Sequence, residues 1–206
     1  MVARSFWAAE QVPQFKEKLF QIRERYGTLI NQASTFTGVS PELITSVIFI
    51  ESGGQERVIS RAGAVGLMQV TPQTASGVIH LANKAGKLSN ELRQALAVQL
   101  GERVACIAKQ QYMGQPMKCN TTITTTELLI PGLNVLVGSL LLALLVAQHT
   151  ENGIIRLDKV ITRYNRGYFY KPKGTIHELM ASAPAETRGY ILKLVGVNST
   201  LDILTA

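Results

Sequence analysis

The stretch from Leu128 to Ala147, LLIPGLNVLVGSLLLALLVA, holds no charged residue, and it restricts the fold more than any other segment. It is long enough to span a bilayer. Pro131, Gly132 and Asn134 interrupt it near its start, however, and leave a shorter clean run from Val135. Such a run suits a helix buried on all sides at the centre of a domain. No integral membrane segment is therefore expected.

The helical period dominates the rest of the chain. Phe15, Leu19, Ile22, Tyr26, Leu29, Ile30 and Ala33 form an amphipathic stripe that runs up to a stop at Gly38. Ser40-Pro41-Glu42 then opens a second helix with a cap, a first-turn proline and an early acid. That helix carries Leu43, Ile44, Val47, Ile48 and Glu51 and ends at Gly53-Gly54. A Gly- and Ala-rich loop follows from Ser60 to Val70, and Thr71-Pro72 starts another helix. Ser89-Asn90-Glu91 begins one helix with Leu92, Leu96, Leu100, Val104 and Ile107 on one side. The Thr run at 121–126 reads as a loop or a short extended piece. Two short helices are expected at about 157–165 and 185–196, separated by the Tyr-rich, basic loop RGYFYKPKG. Any β structure is confined to short pieces near 55–70.

The net charge of +7 fits any polyanionic partner and chooses none. Aromatic residues make up only 6% of the chain, too few for a stacking platform, so no nucleic-acid partner is expected. Twelve of the fourteen acidic residues are Glu, and the only aspartates are Asp158 and Asp202. Chemistry that needs an Asp thus has two candidates, both far from the most informative motif. Cys106 and Cys119 match no zinc spacing and have no neighbouring His. Two free thiols in a reducing compartment are expected, with one disulfide as the alternative. His80, His149 and His177 show no pairing, and neither a metal nor a cofactor is expected. The N-terminal segment has no signal-peptide core or cleavage site, which implies another export route or a leader removed ahead of this numbering.

Glu51 is the candidate for chemistry. It continues the apolar stripe at 44, 47 and 48, so its carboxylate lies on the face those residues bury. It also sits in the last turn, at the negative end of the helix dipole. Both effects disfavour the charged form and raise the pKa, as a general acid requires. The plain alternative is a Glu that turns to solvent at a helix end. The stretch ESGGQERVISRAGAVGLMQVTPQTA, from Glu51 to Ala75, shifts the balance, because Gly63 and Gly66 allow a backbone to approach a ligand closely.

Together these residues resemble the lytic transglycosylases of the soluble-transglycosylase type, in the lysozyme-like superfamily. The resemblance rests on Glu51-Ser52, then Ser60, Gly63-Ala64, Gly66-Leu67-Met68-Gln69, and Pro72 with Thr74-Ala75. Asn134 opening the hydrophobic helix, Gly138 after it, Tyr164-Asn165-Arg166-Gly167, and Glu186-Thr187-Arg188-Gly189-Tyr190 continue the family's order. Arg163 stands where the family has Ala. The resemblance covers roughly 38–196.

It implies a mainly α, lysozyme-like fold of the goose or soluble-transglycosylase type: a helical extension over 1–37, then a domain over 38–206 with an insertion at about 77–127. It also implies cleavage of the β-1,4 bond between N-acetylmuramic acid and N-acetylglucosamine, leaving a 1,6-anhydro end. Glu51 then acts as both acid and base. Ser60 positions an N-acetyl group or the scissile oxygen, and Met68 and Gln69 line sugar subsites. Tyr164 stabilises the oxocarbenium ion or bonds near Glu51, and Glu186 binds a sugar hydroxyl. Asn165 and Asn134 serve as substrate contacts or helix caps alike, whereas Tyr190 reads as a core residue. Tyr168, Phe169 and Tyr170, with Lys171 and Lys173, are read as one edge of a glycan groove, with a membrane or interdomain contact equally open. The partner is the peptidoglycan strand at the cell wall, and the missing leader favours a phage lysis or virion protein. Two alternatives remain: a goose-type lysozyme, which needs an Asp near Glu51, and a non-catalytic wall-binding or assembly protein on the same fold.

Overall fold

The structure, a computed structural model, describes residues 2–109 and 121–205, and its architecture is mainly α. A strand β1 (Val2–Ser5) leads through a 3-10 turn to α1 (Val12–Thr37) and α2 (Pro41–Ser52). Helices α3 (Pro72–Lys84), α4 (Asn90–Leu100), α5 (Arg103–Ala108) and α6 (Thr125–Leu128) precede α7 (Pro131–Gln148). The hairpin β2 (Thr150–Glu151) and β3 (Ile154–Ile155) joins α7 to α8 (Leu157–Arg166). Then come α9 (Ile176–Ser182), α10 (Ala185–Val195), β4 (Gly196–Val197) and α11 (Thr200–Thr205).

The uncharged run is α7, and it is the centre of the core. Leu133 to Leu142, with Leu144 and Leu145, are buried along it. Helices α1, α3, α4, α6 and α8 pack against it. Each fully buried Leu or Val of this helix contributes about 1.5–3 kcal/mol by leaving water. The α1 stripe meets α2 and α7 through Ile22, Tyr26, Ile30 and Ala33. The expected caps are present: Ser40, Thr71 and Ser89 accept from the amides of Leu43, Thr74 and Leu92 at 3.2, 3.1 and 3.2 Å. Each is worth about 1 kcal/mol to its helix.

Several expectations need correction. The helix expected from Ser89 through Ile107 breaks at Gly101-Glu102 into α4 and α5, with Gly101 at φ 57°. The apolar spacing runs through this break because both helices bury the same side. The Thr run is no loop throughout, since Thr124 and Glu127 form a reciprocal capping box that starts α6. The same device, Thr175 with Glu178, starts α9, a helix not anticipated between the two short ones. Near 55–70 the β structure is two isolated bridges, Ile59 to Val65 and Val65 to Val70. The paired strands lie elsewhere: β1 is parallel to β4, and β2 is antiparallel to β3. Cys106 is disulfide-bonded rather than a free thiol. The spacing said nothing of pairing, and the thiol reading rested on an assumed reducing compartment. Cys119 lies outside the described residues.

Candidate active site

Ile44, Val47 and Ile48 of α2 are fully buried, and helical geometry carries Glu51 round to their side. Its carboxyl group is half-buried at the end of the helix. Loss of hydration pushes its pKa from 4.5 up to about 7. A hydrogen bond from Tyr190 opposes that rise, the charge of Glu186 adds to it, and Lys193 opposes it. Near neutral pH the group therefore exists in both protonation states, as a group that gives and retakes a proton must.

Tyr190 comes from α10, and its hydroxyl donates to Glu51 Oε1 at 2.8 Å. Burial, then the neighbouring Glu51, hold the phenol well above its ordinary value of 10, so it stays a donor. Tyr190 is 5% exposed, as a core residue would be, but the reading of it as core alone missed this bond. The spacing of the Glu186–Tyr190 motif offered the signal: a hydroxyl one turn after Glu186 on the buried face of α10.

The loop beside Glu51 is held by buried hydrogen bonds. Ser52 Oγ lies 2.8 Å from Leu67 O and donates to it. Asn134, fully buried at the start of α7, accepts from Met68 N at 2.8 Å and donates to Val65 O and Leu128 O at 2.8 and 2.9 Å. It faces no solvent; it closes the C-terminal end of α6 at the Leu128 carbonyl and clamps the loop to the core helix. A Cβ on Gly66 would come within 2.6 Å of the Asn134 amide, and φ there is 73°, so both space and backbone demand glycine. A Cβ on Gly138 would meet Met68 Sδ at 2.6 Å.

That packing corrects the expectation for Met68. Its side chain is fully buried against α7 and forms core, not a subsite wall. Its apolar chain fills the gap that Gly138 leaves. Tyr164, from α8, donates to Met68 O at 2.8 Å and so braces the loop rather than bonding Glu51 directly. Gln69 is half-buried with a left-handed backbone, φ 47°. Its Nε2 donates to Gly66 O and Val58 O at 2.9 and 3.2 Å. Ser60 Oγ accepts from Ala64 N at 3.0 Å and shapes the turn. Asn165 Oδ1 accepts from Thr187 at 2.8 Å, and its Nδ2 lies 3.4 Å from Glu186 Oε1, tying α8 to α10. Glu51 thus bonds Tyr190 and feels Tyr164 and Glu186 electrostatically, and Asn165 bonds Glu186. Among the described residues, no cluster of three or more His, Cys, Asp or Glu is arranged to hold a metal ion.

Residues 28–99, which carry Glu51, the loop through Gln69 and all of α3, match the family described as Transglycosylase SLT domain. This segment is similar to the transglycosylase SLT domain family. The match begins inside α1 and ends in α4, so Asn134, Tyr164, Glu186 and Tyr190 lie outside it. A second family, described as PSP, matches residues 84–135. The chain is 54% identical over 44 residues to an endo-type membrane-bound lytic murein transglycosylase A of Klebsiella pneumoniae, covering 21% of this chain and 22% of that protein. A protein of the same description from Citrobacter koseri is 60% identical over 38 residues, 18% of this chain and 19% of its own. The aligned part thus spans about a fifth of these relatives. The lytic transglycosylase Slt of Pseudomonas aeruginosa superposes with a TM-score of 0.47 at 17% identity, covering 87% of this chain and 23% of that one.

Proposed function

We propose that this protein is a peptidoglycan lytic transglycosylase. It cleaves the β-1,4 bond between N-acetylmuramic acid and N-acetylglucosamine without water and leaves a 1,6-anhydromuramyl end. The observation that carries the proposal is Glu51 in the segment similar to the SLT domain, desolvated to a pKa of about 7 and held by Tyr190 at 2.8 Å. The relatives described as lytic murein transglycosylases support the same reading.

The chemistry follows from that geometry. Tyr190 donates to Oε1, which leaves Oε2 of the protonated acid for the substrate. Glu51 gives this proton to the glycosidic oxygen as the bond to muramyl C1 breaks, and the leaving sugar departs with a free 4-hydroxyl. The new carboxylate is stabilised by the Tyr190 hydroxyl. It then takes the proton of the muramyl 6-hydroxyl as that oxygen bonds to C1, and Glu51 ends protonated as it began. Gln69 and Ser60 on the loop, and Asn165 and Glu186 across from it, are the residues we place along the sugars. Tyr164 acts through the Met68 carbonyl. We read 38–206 as the catalytic body and 1–37 as an extension packed on it, and place its action at the bacterial wall. The disulfide at Cys106 supports a location outside the reducing cytoplasm.

A hydrolytic reading needs a second carboxylate. Asp158 is paired with Arg156 at 2.8 Å, whereas the charge of Glu186 reaches Glu51, so Glu186 is the residue that reading would use. Mass spectrometry of digested peptidoglycan decides between them. Anhydromuramyl ends, lost in Glu51→Gln and still formed in Glu186→Gln, are expected. Reducing muramyl ends would overturn the proposal.

A further inference from the structure

The segment ahead of α1 lies outside the SLT match at 28–99, yet it is fastened to both helices that build the Glu51 site. Strand β1 pairs in parallel with β4, Val2 opposite Gly196 and Ser5 opposite Val197, and β4 directly follows α10. Trp7 is the second anchor. Its ring is buried and stands 4.6 Å from Phe15 and 5.9 Å from Phe49, and Phe49 is two residues before Glu51 on α2.

Phe6, between these anchors, is 45% exposed and puts its ring on α10. Gly189 and Lys193 are four residues apart, hence neighbours on one side of that helix, and the ring meets both. A Cβ on Gly189 would lie 3.1 Å from Phe6 Cε2, so the ring rests against bare backbone immediately before Tyr190. The Lys193 ammonium sits over the ring at 4.7 Å from its centroid, within cation–π range. Trp7, edge-on to Phe6 at 87°, sets the tilt of that ring.

What the ring holds matters to Glu51. Tyr190, Glu186 and Lys193 of α10 and Tyr164 of α8 act on its carboxyl group, and Lys193 is the cation among them. Helices α1 and α11 also pack on α2. Arg23 of α1 pairs with Glu42 in the first turn of α2, whereas Glu51 is in the last, and α11 carries Asp202. Among the described residues no ion pair holds Lys193. A lysine on its flexible four-carbon stem otherwise turns to water. An aromatic face removes that freedom and leaves the charge unneutralised. Once Glu51 has given its proton away it is a carboxylate, and a positive charge already in place stabilises it with no rearrangement at that moment.

We infer that Phe6 is a positioning residue for this reaction: its ring holds the Lys193 ammonium where its charge reaches Glu51 and backs α10 at Gly189, so the segment ahead of α1 is part of the active site. The inference rests on the transglycosylase reading above.

The test follows release of anhydromuramyl ends from peptidoglycan by the full chain as a function of pH. Phe6→Leu keeps bulk against Gly189 but offers the ammonium no ring face. It is expected to lower kcat about threefold, the worth of an exposed cation–π contact, with little change in KM. The alkaline limb of its pH profile should move up by about half a pH unit, because a carboxyl group that loses a nearby cation holds its proton more firmly. Lys193→Met is expected to show both effects, and adding Phe6→Leu to it should change neither further. Phe6→Tyr, which keeps the ring face, is expected to restore both. An alkaline limb that stays in place in Phe6→Leu, or a rate loss that adds in full to that of Lys193→Met, would make the ring a packing group only and overturn the inference. A native protein that forms no anhydromuramyl ends at any pH would instead overturn the transglycosylase reading, and this inference with it.

Discussion

Replacing Glu51 with Gln should stabilise the protein at alkaline pH while abolishing activity. The folded-state pKa is about 7 against 4.5 for the free side chain, so the folded protein binds the extra proton between these values. Folding is therefore progressively less favourable as pH rises from about 4.5 through 7. At about 1.4 kcal/mol per pH unit, ionising this buried group costs on the order of 3 kcal/mol above pH 8. Gln keeps an oxygen that can accept from Tyr190 and has nothing to ionise. The variant should match the native protein at pH 4 and gain about 3 kcal/mol at pH 8, which for a chain of this size raises the melting temperature by about 6–10 °C. Thermal melts followed by circular dichroism at the two pH values measure this directly. A difference that is the same at pH 4 and pH 8, or absent at pH 8, would refute the claim that burial holds Glu51 partly neutral.

Tyr190→Phe removes the donor that stabilises the Glu51 carboxylate. The pKa governing kcat/KM should then rise above 7 by about one pH unit, seen in the pH profile of peptidoglycan turbidity loss. Asn134→Ala leaves the Met68 amide and the Val65 and Leu128 carbonyls buried without their partner, at a cost of about 3 kcal/mol or more in urea unfolding. Gly138→Ala forces a methyl group against Met68 and should cost about 1–3 kcal/mol. Its melting temperature should fall with little change in the Glu51 pH profile. Reducing the disulfide at Cys106 should lower stability by about 2–4 kcal/mol, read from melts with and without reductant.

Much of this protein is local and therefore legible from its residues. The side of α2 on which Glu51 falls follows from Ile44, Val47 and Ile48 by helical period alone. The caps at Ser40, Thr71 and Ser89 follow from hydroxyls that find an amide three residues on. The uncharged run over 128–147 required a buried helix, and α7 is one. What the sequence did not disclose depends on pairs far apart along the chain. The Tyr190 hydroxyl reaches Glu51 across 139 positions, Asn134 reaches Val65 across 69, and Tyr164 reaches Met68 across 96. Periodicity says which face of a helix turns inward but not which group it meets there. For that reason Tyr190 read as core without its bond to Glu51, Met68 as a subsite residue although it is fully buried, and Asn134 as either a cap or a substrate contact although it ties the loop to the core helix. The sequence by itself determined an acid on a buried helical face beside a glycine-rich loop. Only the tertiary structure decided what holds that acid and that loop in place, because such contacts arise from how whole helices dock rather than from the order of residues along any one of them.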